Sequence, residues 1–391
     1  MQICVFRVDW FLFAQVCLHY SCDPANYFQG VSIRVGGGFF TDRMDEFVRK
    51  RIESLISNVT QKIISDKSPI VSLRYTSSKP YRFCHTSFIR GSLRLGLYAS
   101  RSRITIACLL RIIEILLVTP QNCRRTKRDI YYMDTNLFEN QRRVDRLIDV
   151  LACTLNVPRD SLGVSSSPKG LAFGDLEISS EETLRLNFSH SPTLISREGV
   201  KGDITSTAKI VIVVEKEAVF SLLWQKYAEL KAVFSSLIVI TGRGYPDLIT
   251  MQLLHRLMKA STETKFFALV DFDPFGLDIA LRYRCGSKLP SDQPTTSCDR
   301  LELLGILLPQ LDRYCHQNRA NGNRQGLSKL GEYRLRSVIR QGELSRWEAL
   351  ISCGNDMLAC GFTAEIESIY QHDSDTLLKY CEQEIKICLH S

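Results

Sequence analysis

A pair of tyrosines beside a basic cluster is the first feature of this chain that could take part in a reaction. The stretch RDIYYMD spans residues 128–134 and overlaps the end of the cluster RRTKR at 124–128. A tyrosine hydroxyl is a candidate covalent nucleophile. Neighbours on a helix point about 100° apart, so at most one of the two tyrosines is expected to react. The alternative to a catalytic role is that one tyrosine packs in the core and the other lies at the surface. Arg128 precedes Tyr132 by one helical turn and could bring positive charge to a phosphate.

Three carboxylates at the ends of two apolar runs form the second such feature. Glu215 follows KIVIVV (209–214), and Asp271 and Asp273 follow FFALV (266–270) within the motif DFDPFG. Each acid alone is most simply an exposed residue at the end of a strand. Together they predict a magnesium site, because closely held carboxylates repel unless a proton or cation neutralises them, and Mg²⁺ prefers oxygen ligands. A divalent ion there could hold a phosphate near the nucleophile.

The elements around these acids predict a doubly wound α/β domain. Short continuous apolar runs alternate with helical patterns from residue 209 onward, which indicates a parallel sheet covered on both faces. In such sheets functional residues gather at the carboxyl ends of the strands. The segment TGRGYPD (241–247) follows a further apolar run and places Arg243 at that edge, where it could bind phosphate. The alternative is an ordinary strand-to-helix turn.

Upstream of the acids, the order of elements is that of a winged helix-turn-helix. After a first helix at 44–65 and a loop or linker at 66–102, helices are predicted at 104–118, 126–133 and 139–155. A two-stranded wing is then expected from SLGV (161–164) and GLAF (170–173). The third helix of such a domain usually enters the major groove. DNA contacts are therefore expected from this helix and from the basic cluster: Arg124, Arg125, Lys127, Arg142 and Arg143.

The length predicts two or three domains, and the composition is ordinary for a soluble globular protein. The 391 residues have a net charge of +8, and segment 81–128 contains ten Arg and Lys against the single acid Glu114. Concentrated positive charge fits a phosphate-binding face, although a solvated flexible segment is the alternative. Fourteen cysteines without a CxxC pair or a zinc spacing indicate a reducing compartment and no zinc site. Charged residues interrupt the longest apolar run, so no membrane segment is expected.

Taken together, the motifs resemble those of the topoisomerase VI A subunits and of their eukaryotic meiotic relatives. The resemblance runs from about residue 100 to the C-terminus and rests on RDIYYMD, SSSPKGLAFG, VVEKEAVF, TGRGYPDL and LVDFDPFGLDI. The run NLFENQRRVDRLIDVLACTL (136–155) is more similar to the meiotic branch, which makes the programmed double-strand breaks that start recombination. The resemblance implies a multidomain α+β and α/β protein, in which a winged-helix domain bearing the nucleophile precedes a Mg²⁺-binding toprim domain.

The resemblance also implies a reaction and the residues that perform it. A tyrosine attacks a DNA phosphodiester and leaves a 5′-phosphotyrosyl link and a free 3′-hydroxyl. By the resemblance, the nucleophile falls on Tyr132, the motif arginine on Arg128, and a DNA contact on the wing lysine, Lys169. The implied metal ligands are Glu215, Asp271 and Asp273.

The expected divisions of the chain combine this resemblance with the element pattern. They are a poorly ordered extension (1–43), an N-terminal helix and linker (44–100), a winged-helix domain (101–175) and a toprim domain with a C-terminal DNA-binding arm (205–391). In that arm, the family's Thr-x-Arg-Asp appears as SKLG (328–331). A DNA contact at this point would therefore have to come from Lys329 or Arg334.

The implied partners are double-stranded DNA, a topoisomerase VI B-like subunit, and a second A-type subunit. Each active site would combine the tyrosine of one protomer with the metal of the other, in a nuclear, chromosome-associated protein. Two alternatives stay open. The chain could be a type IIB topoisomerase A subunit that religates DNA with an ATP-dependent B subunit, or a non-catalytic DNA-binding paralogue, against which the intact tyrosine and acids count.

Overall fold

A computed structural model describes most of the chain from residue 46 onward. The described residues are 46–65, 70–76, 90–96, 99–119, 124–165, 167–179, 185–287, 292, 295–314, 324–370 and 373–390. The expected extension at 1–43 lies outside them. The chain divides between residues 165 and 167 into two compact units, and Asp292 belongs to the first.

The first unit contains the helices expected upstream of the acids. These are α1 (Glu46–Ser65), α2 (Ser100–Val118), α3 (Lys127–Tyr132), α4 (Thr135–Phe138) and α5 (Gln141–Leu155). The apolar stripe of α5 is buried in this unit's core, as its spacing predicts: Val144, Leu147, Ile148, Leu151 and Leu155. None of the helices in the described ranges is long and apolar enough to cross a membrane.

The loop or linker expected at 66–102 is wrong where the structure describes it. Strands β1 (Ile70–Thr76) and β2 (Arg90–Gly96) pair in antiparallel fashion along their whole lengths. Val71, Leu73 and Leu95 are buried, so one face of this pair packs on the core of the unit. The alternation of apolar and polar residues that produces such a face was present in the sequence, but the Ser- and Arg-rich composition obscured it.

The second unit is built on a mixed six-stranded sheet. The first strands of the unit are β5 (Leu171–Gly174), β6 (Leu176–Ser179), β7 (Arg185–Asn187), β8 (Thr193–Leu194) and β9 (Asp203–Ser206). They are followed by β10 (Ile210–Val214), β11 (Leu237–Thr241), β12 (Lys265–Leu269), β13 (Leu301–Gly305), β14 (Arg324–Gly326) and β15 (Phe362–Ala364). The order across the large sheet is β13-β12-β10-β11-β5-β8.

Helices surround this sheet and complete the unit. They are α6 (Arg197–Lys201), α7 (Glu217–Gln225), α8 (Tyr227–Phe234), α9 (Leu248–Ala260) and α10 (Pro274–Cys285). The remaining ones are α11 (Leu308–Tyr314), α12 (Lys329–Ser345), α13 (Glu348–Cys360), α14 (Glu367–Tyr370) and α15 (Asp375–His390). Strands β10, β11, β12 and β13 are parallel to one another, which confirms the expected parallel α/β arrangement.

The register of the central strands decides where the acids lie. Val214, the last residue of β10, pairs with Thr241 on one side and with Leu269 on the other. The segments that follow β10, β11 and β12 therefore leave the sheet at the same edge. This confirms the expectation that Glu215, the GRG turn and the DFD motif share the carboxyl edge of the sheet.

The expected two-stranded wing is wrong, because its two halves pair with other strands. Strand β4 (Val164–Ser165) pairs in parallel with β3 (Arg125–Thr126) in the first unit. Strand β5 lies in the second unit and pairs in antiparallel fashion with β11. Ala172 and Phe173 of β5 are fully buried, so this strand extends a core sheet instead of forming an exposed hairpin.

Candidate functional site

The start of helix α3 is fixed by a reciprocal pair of hydrogen bonds. The backbone N–H of Asp129 donates to Thr126 Oγ1 at 3.1 Å, and the backbone N–H of Thr126 donates to Asp129 Oδ2 at 2.8 Å. This capping box satisfies two N–H groups that the helix itself leaves unbonded. Ile130 is completely buried. The cap and this buried anchor together set which way the two following tyrosines point.

The two tyrosines of α3 have different environments. Tyr131 packs against the core of the first unit, whereas 59% of Tyr132 is exposed. Arg128 Nη2 donates to Tyr132 Oη at 3.3 Å, and the Arg128 guanidinium lies 5.6 Å from the Tyr132 ring centroid. A nucleophile needs an accessible oxygen and a neighbouring cation to receive a phosphate. Tyr132 has both, which supports its expected role over Tyr131.

Most of the basic residues expected to bind DNA in the first unit already contact other side chains. The contacts are Arg124 with Asp160 (3.0 Å), Arg125 with Thr119 (2.9 Å), Lys127 with Asp149 (2.7 Å) and Arg143 with Glu139 (3.0 Å). Arg142 is exposed. Acidic partners offset part of the positive charge, so a DNA contact by any of these five residues stays a prediction.

In the second unit, main-chain contacts hold the three carboxylates at the sheet edge. Glu215 Oε2 accepts a hydrogen bond from the backbone N–H of Asp271 at 3.0 Å. Asp271 Oδ1 accepts from the backbone N–H of Ile366 at 2.9 Å, in buried surroundings. Asp273 caps α10, because its Oδ1 accepts from the N–H of Gly276 at 2.5 Å. The structure therefore brings the three predicted acids together and orients each through the backbone.

Gly276 is required for this arrangement. A Cβ atom at this position would lie 2.5 Å from the carbonyl oxygen of Asp271 and 3.0 Å from Glu215 Oε2. Any side chain would thus push the DFD turn away from the end of β10. The glycine of DFDPFG permits the close approach of α10 to the acids.

Burial makes the negative charge of the cluster costly. It raises the pKa of Glu215 to about 8, and the neighbouring charge of Asp271 contributes to this rise. Burial likewise raises the pKa of Asp271 to about 6 and moves the pKa of Asp273 above its usual range. Full ionisation of the cluster is therefore unfavourable unless cations compensate its charge.

A lysine that sequence reasoning did not single out supplies one such cation. Lys216 Nζ lies 3.0 Å from Asp271 Oδ2, 2.6 Å from Glu367 Oε2 and 3.4 Å from Glu365 Oε2. The two glutamates flank Ile366, whose N–H binds Asp271, and β15 reaches the DFD motif through a bridge between Phe272 and Ala364. The only feature of the sequence that could have indicated this contact is the acidic triplet E-I-E (365–367), which lies about 150 residues from Lys216.

The side chains of Glu215, Asp271 and Asp273 are of the type that binds a divalent ion, although each already contacts a backbone N–H group. In the described part of the chain, no group of three or more His, Cys, Asp or Glu is arranged as a ready metal site. One oxygen of each predicted ligand accepts a backbone N–H, and Lys216 contacts the other oxygen of Asp271. The three groups are all carboxylates, and their burial favours neutralisation by a cation, so they fit a hard ion.

Lys169 lies beside the GRG turn and not on a wing. Its Nζ donates to the carbonyl oxygen of Arg243 at 3.3 Å. The N–H groups of Lys169 and Gly170 both donate to Asp247 Oδ2, at 3.0 and 3.1 Å. The N–H of Gly244 in turn donates to the carbonyl oxygen of Glu215 at 2.9 Å. The expected phosphate-binding cations Lys169 and Arg243 are thus neighbours of the acids at one edge of the sheet.

Arg243 itself has a strained backbone and an acidic partner. Its φ is +52°, a left-handed conformation that few non-glycine residues adopt. Its Nη2 lies 2.8 Å from Glu217 Oε1, an exposed pair that salt screens. A phosphate contact by Arg243 would replace this exposed pair, and it stays a prediction.

Lys329 and Arg334 are the two residues expected to replace the family arginine. Within the described residues, Arg334 forms an ion pair and Lys329 does not. Ser328 caps α12 by accepting the N–H of Gly331 at 3.1 Å, and the neighbouring Lys329 is exposed. Arg334 instead lies 3.5 Å from Asp278 Oδ2 and 4.2 Å from the Phe275 ring centroid. Lys329 is the better candidate for a DNA contact in this segment.

Comparisons with known proteins support both halves of this description. The family model for the toprim domain of Spo11 and of the topoisomerase 6 A subunit matches residues 210–385, and the model described as "Type IIB DNA topoisomerase" matches residues 103–164. Toprim domains generally bind divalent metal ions.

Individual relatives point in the same direction. Meiotic recombination protein SPO11 of Mus musculus is 30% identical over 345 residues, which cover 85% of this chain and 84% of that protein. Meiotic recombination protein rec12 of Schizosaccharomyces pombe is 38% identical over 208 residues, or 53% of this chain and 58% of that protein. The A subunit of DNA topoisomerase 6 from Arabidopsis thaliana is 33% identical over 214 residues, or 51% of this chain and 48% of that protein.

Proposed function

Because this chain belongs to the family of Spo11 proteins and topoisomerase VI A subunits, we propose that it is a DNA-cleaving transesterase that makes meiotic double-strand breaks. The observation that carries the proposal is the exposed Tyr132, hydrogen-bonded to Arg128 within the segment that matches the type IIB topoisomerase model. The mouse relative, matched over most of both chains, is named a meiotic recombination protein. This favours the meiotic role over a general topoisomerase role.

The proposed reaction exchanges one phosphodiester bond for another. Tyr132 Oη attacks a backbone phosphorus and loses its proton, the bond from phosphorus to the 3′-oxygen breaks, and that oxygen takes up a proton. The products are a 5′-phosphotyrosyl link and a free 3′-hydroxyl. Arg128 stabilises the negative charge that develops on the phosphate. Mg²⁺, held by Glu215, Asp271 and Asp273, would supply further positive charge for the phosphate.

We propose that helices α2 to α5 form the DNA-binding helix-turn-helix of the first unit. α5 would approach the major groove and present Arg142 and Arg143, while Arg124, Arg125 and Lys127 would contact the backbone near Tyr132. For Arg124, Lys127 and Arg143, such contacts require exchange of the present acidic partners for phosphates, which salt would oppose. Lys169 and Arg243 would bind a phosphate at the edge of the sheet in the second unit.

The proposed active form is a nuclear dimer that acts with a topoisomerase VI B-like subunit. In it, Tyr132 of one protomer would work with the acids of the other, and the two-fold axis would place two active sites on opposite strands. A test is to join a Tyr132→Phe protomer to a Glu215→Gln protomer. If the sites are shared, one site keeps both working residues, and the mixed dimer should cut one strand. If each protomer works alone, both sites are inactive and no cleavage should occur.

The function is tested by the chemistry of the DNA ends. DNA isolated from meiotic cells, without protease treatment, should carry the protein covalently at its breaks. After proteolysis, terminal transferase should extend the 3′ ends directly, whereas the 5′ ends should resist kinase labelling even after phosphatase treatment. Breaks with free 5′ ends would contradict the proposal. ATP-dependent religation with a B subunit would instead favour the topoisomerase alternative.

A further inference from the structure

Lys216 occupies a central place in the carboxylate cluster. It follows Glu215 directly at the end of β10, and its ammonium contacts carboxylates from two remote segments, the DFD motif and the E-I-E triplet. The side chain therefore stays positively charged within the cluster.

The ammonium and a divalent ion would use the same oxygen. Asp271 Oδ1 accepts the N–H of Ile366, and Asp271 Oδ2 contacts Lys216 Nζ at 3.0 Å. Asp271 is almost completely buried, so it cannot turn to offer another oxygen without losing the bond to Ile366. Two cations that share one carboxylate oxygen also repel each other. An ion at Asp271 Oδ2 therefore competes with Lys216 for this oxygen.

The structure provides a place for the displaced ammonium. Glu367 Oε2 lies 2.6 Å from Lys216 Nζ, closer than Asp271 does, and Glu365 Oε2 lies at 3.4 Å. Neither glutamate is among the predicted metal ligands. Lysine has a flexible four-carbon stem and three donors. It can give up the contact with Asp271 and keep its contacts with both glutamates, so part of its electrostatic stabilisation is retained on displacement.

We propose that Lys216 is an internal counter-cation that holds Asp271 until a divalent ion displaces it, and that Glu365 and Glu367 retain it afterwards. The proposal rests on the metal site of the proposed function and deepens it. Lys216 is thus a positioning residue that sets how tightly the site binds metal. The two glutamates help the ion to bind without touching it.

The test is a double-mutant cycle on Mn²⁺ affinity, measured with the purified full-length protein by electron paramagnetic resonance. Mn²⁺ replaces Mg²⁺ as a spectroscopically visible hard ion. Lys216→Met should tighten Mn²⁺ binding by about tenfold, in the range of couplings between contacting charged residues. Glu367→Gln should weaken Mn²⁺ binding several-fold in the wild-type background, because Lys216 then depends more on Asp271. In the Lys216→Met background, Glu367→Gln should have almost no effect.

The matched control is Lys226→Met. Lys226 follows the other end of the nine-residue helix α7 and pairs with Glu229 at 3.2 Å and Asp375 at 2.7 Å. A helix of this length separates the two lysines by about 13 Å, beyond the screening length of about 8 Å at physiological salt. Removing this equal charge should leave Mn²⁺ affinity unchanged. If Lys216→Met does not fold, Lys216→Gln replaces it in the cycle.

Three outcomes would overturn the proposal. The first is an equal effect of Glu367→Gln in both backgrounds, which would indicate simple long-range attraction by the glutamate. The second is Mn²⁺ binding by the Lys216→Met variant that is equal to or weaker than that of the wild type. The third is no Mn²⁺ binding by either the wild type or this variant. None of these measurements uses DNA cleavage. A protein that binds Mn²⁺ as expected but forms no covalent adduct would contradict the proposed function and leave the role of Lys216 intact.

Discussion

Replacement of Tyr132 by phenylalanine should abolish the covalent protein–DNA adduct, whereas Tyr131→Phe should leave most of it. Tyr132 is exposed and its hydroxyl is hydrogen-bonded to Arg128, while Tyr131 packs against the core of its unit. Without the oxygen no phosphotyrosyl bond can form, so the expected loss is to background and not merely a reduced rate. Both substitutions remove a single oxygen atom and keep the ring, so they form a matched pair.

The measurement is recovery of the protein covalently bound to DNA from cells that express each variant at equal level. Thermal unfolding of the purified variants serves as a control for folding, and neither change should lower the unfolding temperature by more than a few degrees. Loss of the adduct with Tyr131→Phe alone would assign the nucleophile to Tyr131. Adduct from both variants would contradict the assignment of Tyr132 as the sole nucleophile.

Removal of a single carboxylate from the cluster should have the second large effect. Glu215→Gln and Asp271→Asn each keep the size of the side chain and an oxygen that can accept the present backbone N–H. Each removes a negative charge from the proposed metal ligands, so Mg²⁺-dependent cleavage should fall by about 100-fold or more, as when one stabilising group is removed from other active sites. Glu263→Gln is the matched control, because Glu263 is exposed and precedes the opposite end of β12. It should cleave as wild type does.

Stability should respond to Glu215→Gln in the opposite direction from activity. Burial raises the pKa of Glu215 to about 8, so the folded protein holds a proton that the unfolded chain releases at lower pH. Wild-type stability from this group is therefore present below the ordinary glutamate pKa and is lost as pH rises through about 8. The neutral glutamine avoids that loss. Without added metal, the Glu215→Gln variant should unfold at a higher temperature than wild type at pH 8 to 9, with a smaller difference at pH 5.

Together, activity and stability separate a metal role from a structural role. Thermal unfolding across this pH range and cleavage in Mg²⁺ are measured on the same preparations. Reduced cleavage by a protein that is at least as stable as wild type supports metal binding by Glu215. Undiminished cleavage by both variants in Mg²⁺ would remove the cluster from the reaction.

The sequence was informative wherever structure depends on neighbouring residues. The apolar runs of β10, β11 and β12 and the stripe of α5 form the expected elements, because burial and helical or strand periodicity are recorded in local spacing. Asp273 before Pro274 and Gly276 likewise indicates a capped helix start with a close backbone approach. The fold class of the second unit and the edge that carries its acids could therefore be predicted.

The expectations that were wrong concern which strands pair with one another. GLAF has the same local composition as a hairpin strand, yet β5 pairs with β11 and β8 in the large sheet, where Ala172 and Phe173 are fully buried. The strands β1 and β2 were missed because their alternation is short and lies in polar surroundings. Strand propensity depends on which surface a strand covers, and this is a property of the assembled chain.

By itself, the sequence determined the chemical groups of this protein: a tyrosine pair behind basic residues, three acids at strand ends, and the family to which they belong. Only the tertiary structure decided that Tyr132 and not Tyr131 is exposed, that Lys169 lies beside Arg243, and that Lys216 joins Asp271 to a pair of glutamates about 150 residues away. The physical reason is the range of the interactions. Side-chain type and local periodicity act over a few residues, whereas burial, ion pairing and electrostatic competition depend on which distant segments pack together.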